Sequence, residues 1–206
     1  MMFSTDEILE LTQCIKSRLS EKRFKHTLSV LAAATKIGRY FVDIDPSELS
    51  AAALLHDVTK ELSYEDQISI LTEGGVAITD EDKETAAILH SLSAPLIVRR
   101  DFSKFATDSV LSAVEKHTTG SENMSIFDKI IFIADYVEDL RTYDSCIAVR
   151  EQLFSNLSAD ADGLSNEIAL DKSVYQSLIF TENDLIKRGR TPNSRSIKAK
   201  NALTNI

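Results

Sequence analysis

Apolar positions along this 206-residue chain recur at steps of three and four over long stretches, while the two-residue alternation of a half-buried strand is absent over any useful length. With six glycines and three prolines as punctuation, the pattern predicts an all-α fold. Thr5 is expected to cap a first helix running to about Leu19. A second, from about Glu21 to Phe41, places Phe24, Leu28 and Leu31 on one stripe and His26, Val30, Ala33 and Ile37 on an inward one. Asp45-Pro46 reads as an N-cap followed by proline at the first helical position, opening a third helix that ends near His56-Asp57. Ser63 opens a fourth, closed by Gly74-Gly75. Thr79 with Asp82 resembles a capping box for a long helix that carries His90, with Pro95 as its kink point. The acidic run Asp80–Glu84 reads as that helix's N-terminus, favoured by the macrodipole. Asp108 to His117 forms a sixth helix ended by Thr118-Thr119-Gly120, and Ser125 with Asp128 caps a seventh carrying Asp135. Two more helices are expected from about Asp144 to Arg188, followed by a basic polar tail from Gly189. No repeat or linker divides the chain. Residues 1–206 therefore read as one domain, with a core at about 20–145 and C-terminal helices and tail over 146–206.

Composition narrows the function. The chain is 43% apolar, as soluble domains are, and a net charge of −9 argues against nucleic acid as partner, since duplex binding needs a basic surface. The two cysteines, Cys14 and Cys146, are too few for a disulfide framework and read as small core residues of a reduced, cytoplasmic protein. No secretory signal or membrane-length apolar run is visible.

The candidate chemistry lies in the histidines. All four, His26, His56, His90 and His117, fall in apolar helical runs; Asp57 directly follows His56, and Asp135 sits inside the apolar segment Ile130–Val137. Helical side chains lean over the residues at i−3 and i−4, which are Ala53 and Ala52 for His56, Ala87 and Ala86 for His90, and Val114 and Ala113 for His117. Such small neighbours leave room in a helical core for imidazoles and ions. Taken singly, a histidine here is more often a hydrogen-bonded core residue, Asp57 a turn residue, and Asp135 a partner for Lys116 or Arg141. Taken together, six ligand-type residues from five segments point to a metal centre, in which a carboxylate beside a histidine can bridge two ions.

On His26, His56-Asp57, His90, His117 and Asp135 the chain resembles the HD-domain metal-dependent phosphohydrolases. On RFKHTLSV (23–30), ALLHDVTK (53–60), HTTG (117–120) and KIIFIADYVEDLR (129–141) it is similar to their YqeK-type branch of symmetrical bis(5′-nucleosyl)-tetraphosphatases. The resemblance implies a helical bundle of the HD type, hydrolysis of diadenosine tetraphosphate to two ADP, a di-iron centre and, often, a homodimer.

On that reading His26, His56, Asp57 and Asp135 hold one ion and Asp57, His90 and His117 the second, with Asp57 as the bridge. A hydroxide between the ions attacks phosphorus. Four imidazoles suit Fe, Mn, Zn or Co better than Mg, and the choice of iron rests on the resemblance. Asp57, Lys60 and Asp135 are the catalytic candidates. Arg23, one turn before His26, together with Lys60, Thr118 and Arg141, are the candidates for substrate phosphates. Each also has a plainer reading: Lys60 as a solvated helix-end lysine, Thr118 as helix termination, Arg141 as a cation at a helix C-terminus. An HD-type nucleotidase acting on mononucleotides or dNTPs, and a non-catalytic nucleotide-sensing module, stay open as alternatives.

Overall fold

Local capping chemistry fixes where most of the helices begin. The computed structural model describes residues 1–160 and 163–204, and among these every regular element is helical. Helix α1 (Thr5–Arg18) starts one residue earlier than expected: Ser4 accepts from Glu7 N–H, and the Glu7 carboxylate accepts from Ser4 N–H. Ser4 wins over Thr5 because its third neighbour is Glu7, which closes the box, whereas that of Thr5 is Ile8. Helix α2 (Glu21–Gly38) stops short of Phe41, with Gly38 so close to Leu49 that a Cβ there would lie 2.6 Å from Leu49 Cδ2. Its inner stripe is Thr27, Val30, Ala34 and Ile37, while Leu28 faces solvent. Helix α3 (Pro46–Leu55), capped by Asp45, buries everything from Ala51 to Leu55 and forms the centre of the bundle. Helix α4 (Tyr64–Glu73) runs from the Ser63 cap to Gly74.

The long helix expected to carry His90 is broken. The Thr79–Asp82 capping box is present, but α5 (Asp80–Glu84) ends after five residues and a 3₁₀ turn over Ala86–Ile88 leads into α6 (Leu89–Asp101). Asp80–Thr85 contains no apolar side chain, so no packed face holds this stretch in one helix with α6. Ala86 and Ala87 are exposed and do not make room beneath His90, contrary to the helical expectation.

Helices α7 (Asp108–Lys116) and α8 (Ile126–Val137) begin at the Thr107 and Ser125 caps. Then come α9 (Asp144–Asn156), α10 (Gly163–Lys187) and α11 (Ser194–Ala202). The supposed polar tail is therefore partly a helix. Asn193 caps it, and Ala199 is buried and packs 2.9 Å from the Cβ position of Gly120. Too few apolar side chains lie in this stretch for periodicity to reveal it. Helices α2, α3, α7 and α8 pack on one another with α6 against α7; α1 lies on α3, α4 on α6, and α9 and α10 on α8. Cys146 is buried as expected, but Cys14 is exposed on α1.

Candidate metal centre

Five helices deliver the six ligand-type side chains to one place. His26 comes from α2, His56 and Asp57 from the end of α3, His90 from the start of α6, His117 from the end of α7 and Asp135 from the last turn of α8. Three of these elements arrive by their C-termini, whose unpaired carbonyls carry partial negative charge and favour cations nearby. The residues form two triads of donor atoms, His26-His56-Asp57 and Asp57-His90-His117, each spanning no more than 4.8 Å and sharing Asp57. Its Oδ2 lies 3.7 Å from His26 Nε2 and 3.5 Å from His56 Nε2. Its Oδ1 lies 3.3 Å from His90 Nε2 and 3.6 Å from His117 Nε2. Asp135 stands beside the first triad, Oδ1 3.1 Å from His26 Nε2.

Backbone geometry sets the imidazole tautomers. The rings of His56 and His117 fold back over the preceding turn, and Nδ1 of each donates to a carbonyl, Ala53 O and Val114 O, at 2.7 Å. A carbonyl only accepts, so the proton sits on Nδ1 and Nε2 is left with its lone pair toward Asp57. The Nε2 atoms of His26 and His56 are buried without any hydrogen-bond partner. Native proteins rarely leave such atoms orphaned. Imidazole nitrogens and carboxylate oxygens converging in this way fit one or two transition-metal ions.

Electrostatics keep the donors ready. Burial alone would raise the Asp57 carboxyl, but the imidazoles packed around it, His56 first and then His117, hold it well below the ordinary carboxylate range. Asp135 is likewise depressed against the effect of burial, by His26 and Arg141. Burial, then His117 and Lys60, push His90 well below the usual imidazole range, so it stands neutral. For His56, burial opposes protonation but the neighbouring Asp57 charge raises its pKa.

All four side chains expected to meet phosphate are at the site. Arg23 donates to Asp57 Oδ2 at 2.8 Å, and Arg141 to Asp135 Oδ1 at 2.8 Å. Lys60 Nζ lies 3.2 Å from both ring nitrogens of His90, and burial lowers its pKa. Thr118 Oγ1 is 3.1 Å from Nε2 of His90 and of His117. Of the two partners considered for Asp135, Arg141 takes it, whereas Lys116 binds Asp128. Sequence reading misses Glu138, buried just past α8 with Oε1 3.2 Å from His26 Nδ1. Its signal is faint, one carboxylate among several after an apolar run.

A family model described as HD domain matches residues 23–140. The protein named symmetrical bis(5′-nucleosyl)-tetraphosphatase in Staphylococcus aureus is 31% identical over 188 residues, covering 90% of this chain and 89% of that protein. The one so named in Halalkalibacterium halodurans is 29% identical over 181 residues, with 84% and 94% covered. A crystal structure from Clostridium acetobutylicum, described as a predicted HD superfamily hydrolase involved in NAD metabolism, matches with a TM-score of 0.82 at 31% identity, over 100% of this chain and 99% of that one. His26 through Asp135 all fall inside the matched span, and the chain belongs to the HD-domain family, in the group that includes the symmetrical bis(5′-nucleosyl)-tetraphosphatases.

Proposed function

We propose that this protein cleaves dinucleoside tetraphosphates at the central anhydride, water and diadenosine tetraphosphate giving two ADP. The observation that carries this reading is the pair of triads sharing Asp57, ringed by Arg23, Lys60 and Arg141. Around the ligands, three carboxylates (Asp57, Asp135, Glu138) face three side-chain cations, so two divalent ions would leave a surplus of about four positive charges. That surplus matches the ionised tetraphosphate bridge, and it explains how a chain of net charge −9 accepts so anionic a substrate.

In this reading His26, His56, Asp57 and Asp135 hold one ion and Asp57, His90 and His117 the other, iron by family resemblance, with Mn, Co or Zn also suited to the donors. Such ions supply an acidified water as nucleophile and polarise a phosphoryl oxygen. The protein's own groups do the positioning. Arg23 and Arg141 each spend one N–H on a ligand carboxylate, leaving further guanidinium donors for phosphate oxygens. Lys60 offers a point charge to the transferred phosphoryl group or to the leaving ADP, and the Thr118 hydroxyl a further donor. Residues 1–206 act as one domain, and the free thiols of Cys14 and Cys146 suit a reducing cytoplasm.

The test is anaerobic incubation of iron- or manganese-loaded protein with diadenosine tetraphosphate and, separately, with dNMPs, followed by chromatography. ADP as sole product is expected. AMP with ATP, nucleoside with phosphate, or binding without turnover would each overturn the reading.

A further inference from the structure

Glu138 occupies the position that closes α8 and is 2% exposed. A carboxylate there does nothing for its helix: it cannot donate to the terminal carbonyls, and the macrodipole opposes it. Burying it also carries a desolvation cost that only good partners offset. Both of its oxygens have partners from functional elements. Oε1 lies 3.2 Å from His26 Nδ1, and Oε2 accepts from Leu140 N–H at 2.7 Å. The main chain continues the connection, since Arg141 N–H donates to Glu138 O at 3.0 Å. Arg150 ties the same stretch down, donating to Val137 O at 2.6 Å, to Glu138 O and to Arg141 O at 2.9 Å.

A carboxylate only accepts, so His26 must carry its proton on Nδ1, leaving Nε2 bare toward Asp135 and Asp57. We propose that Glu138 is a positioning residue that couples the first ion's site to substrate recognition: one oxygen fixes the tautomer and tilt of His26, and the other fixes the loop that presents Arg141. The inference rests on the two-ion reading above and adds the link between the ion and the arginine.

Mn²⁺ titration of the full-length apoprotein, followed by calorimetry and electron paramagnetic resonance, tests it. Wild type should bind two ions, and His26→Ala should identify which site depends on α2. Glu138→Gln keeps the shape but replaces one acceptor by a donor, so it should weaken that same site by about 10–100-fold and leave the other unchanged. The amide oxygen can serve only one partner; turned to His26 instead, it frees the Arg141 loop from its second anchor and raises KM for the dinucleotide. Glu138→Ala, if it folds, should do the same more severely. A Glu138→Gln isotherm superimposable on wild type with an unchanged KM, or equal weakening of both sites, overturns the proposal while the two-ion reading stands. A wild type that binds no Mn²⁺ removes both.

Discussion

His90 and His117 meet nitrogen to nitrogen, with their Nε2 atoms 3.0 Å apart. Because His117 spends its Nδ1 proton on Val114 O, its Nε2 carries a lone pair, and a second bare nitrogen at that distance would repel it. The pair is stable only if His90 turns an N–H to it or if both lone pairs face one cation. With Asp57 Oδ1 3.3 Å from His90 Nε2, the second arrangement satisfies all three donors at once. His90→Ala should therefore cut metal content from about two ions per chain to about one, as read by elemental analysis. Retention of two would place the second ion elsewhere.

Asp57→Ala should be the more severe change, since one side chain faces four imidazoles and Arg23. Activity and bound metal are expected to disappear together. Activity retained with full metal content would reject Asp57 as the bridge.

Arg141→Ala separates substrate contact from ion binding. Asp135 keeps His26 as neighbour, so metal content should be unchanged, while kcat/KM falls by about 10–100-fold, the worth of a charge-assisted hydrogen bond of roughly 1.5–3 kcal/mol. An unaffected kcat/KM would remove Arg141 from the phosphate site.

The convergence of six ligand-type residues was legible because chemistry constrains it tightly: a histidine or aspartate amid Ile, Ala and Leu is costly to bury without a purpose, so six such residues announce themselves. The starts of α4, α5 and α8 were equally legible, each from a Ser or Thr cap with an aspartate three positions on. The exceptions have physical causes. The break before α6 follows from a stretch with nothing to pack, and helix α11 follows from docking, which local pattern does not record. Glu138 escaped because its role depends on His26, 112 positions away.

Gly120 ties the turn after His117 to α11. Its φ of +68° is a left-handed conformation, and an added Cβ would lie 2.9 Å from Ala199 Cβ and 3.2 Å from Met124 Sδ. Gly120→Ala should cost about 1–2 kcal/mol from the backbone alone, with the clash against Ala199 added to it. A lowered Tm and weakened protection of α11 in hydrogen exchange are expected. An unchanged Tm would mean that the turn relaxes without strain.

Helix α11 should also loosen in acid, through Asp82. This carboxylate is fully buried; burial would raise its pKa, but hydrogen bonds from Arg195 and Thr79 outweigh that and hold it below the ordinary range. A group whose folded pKa is depressed contributes stability that is complete above its unfolded value, near pH ~4, and is lost as pH falls from there through the folded value. Ser194, which hydrogen-bonds Glu81 through both its N–H (2.5 Å) and its hydroxyl (2.6 Å), belongs to the same contact between α5 and α11. Amide protection in α11, corrected for the intrinsic pH dependence of exchange, should thus be flat from pH ~7 to ~5 and fall below ~4, before the buried core of α3 opens. Arg195→Ala should lower it already at neutral pH and remove most of the acid step. If α11 and α3 lose protection together across the whole range, the Asp82–Arg195 pair is not what holds the helix in place.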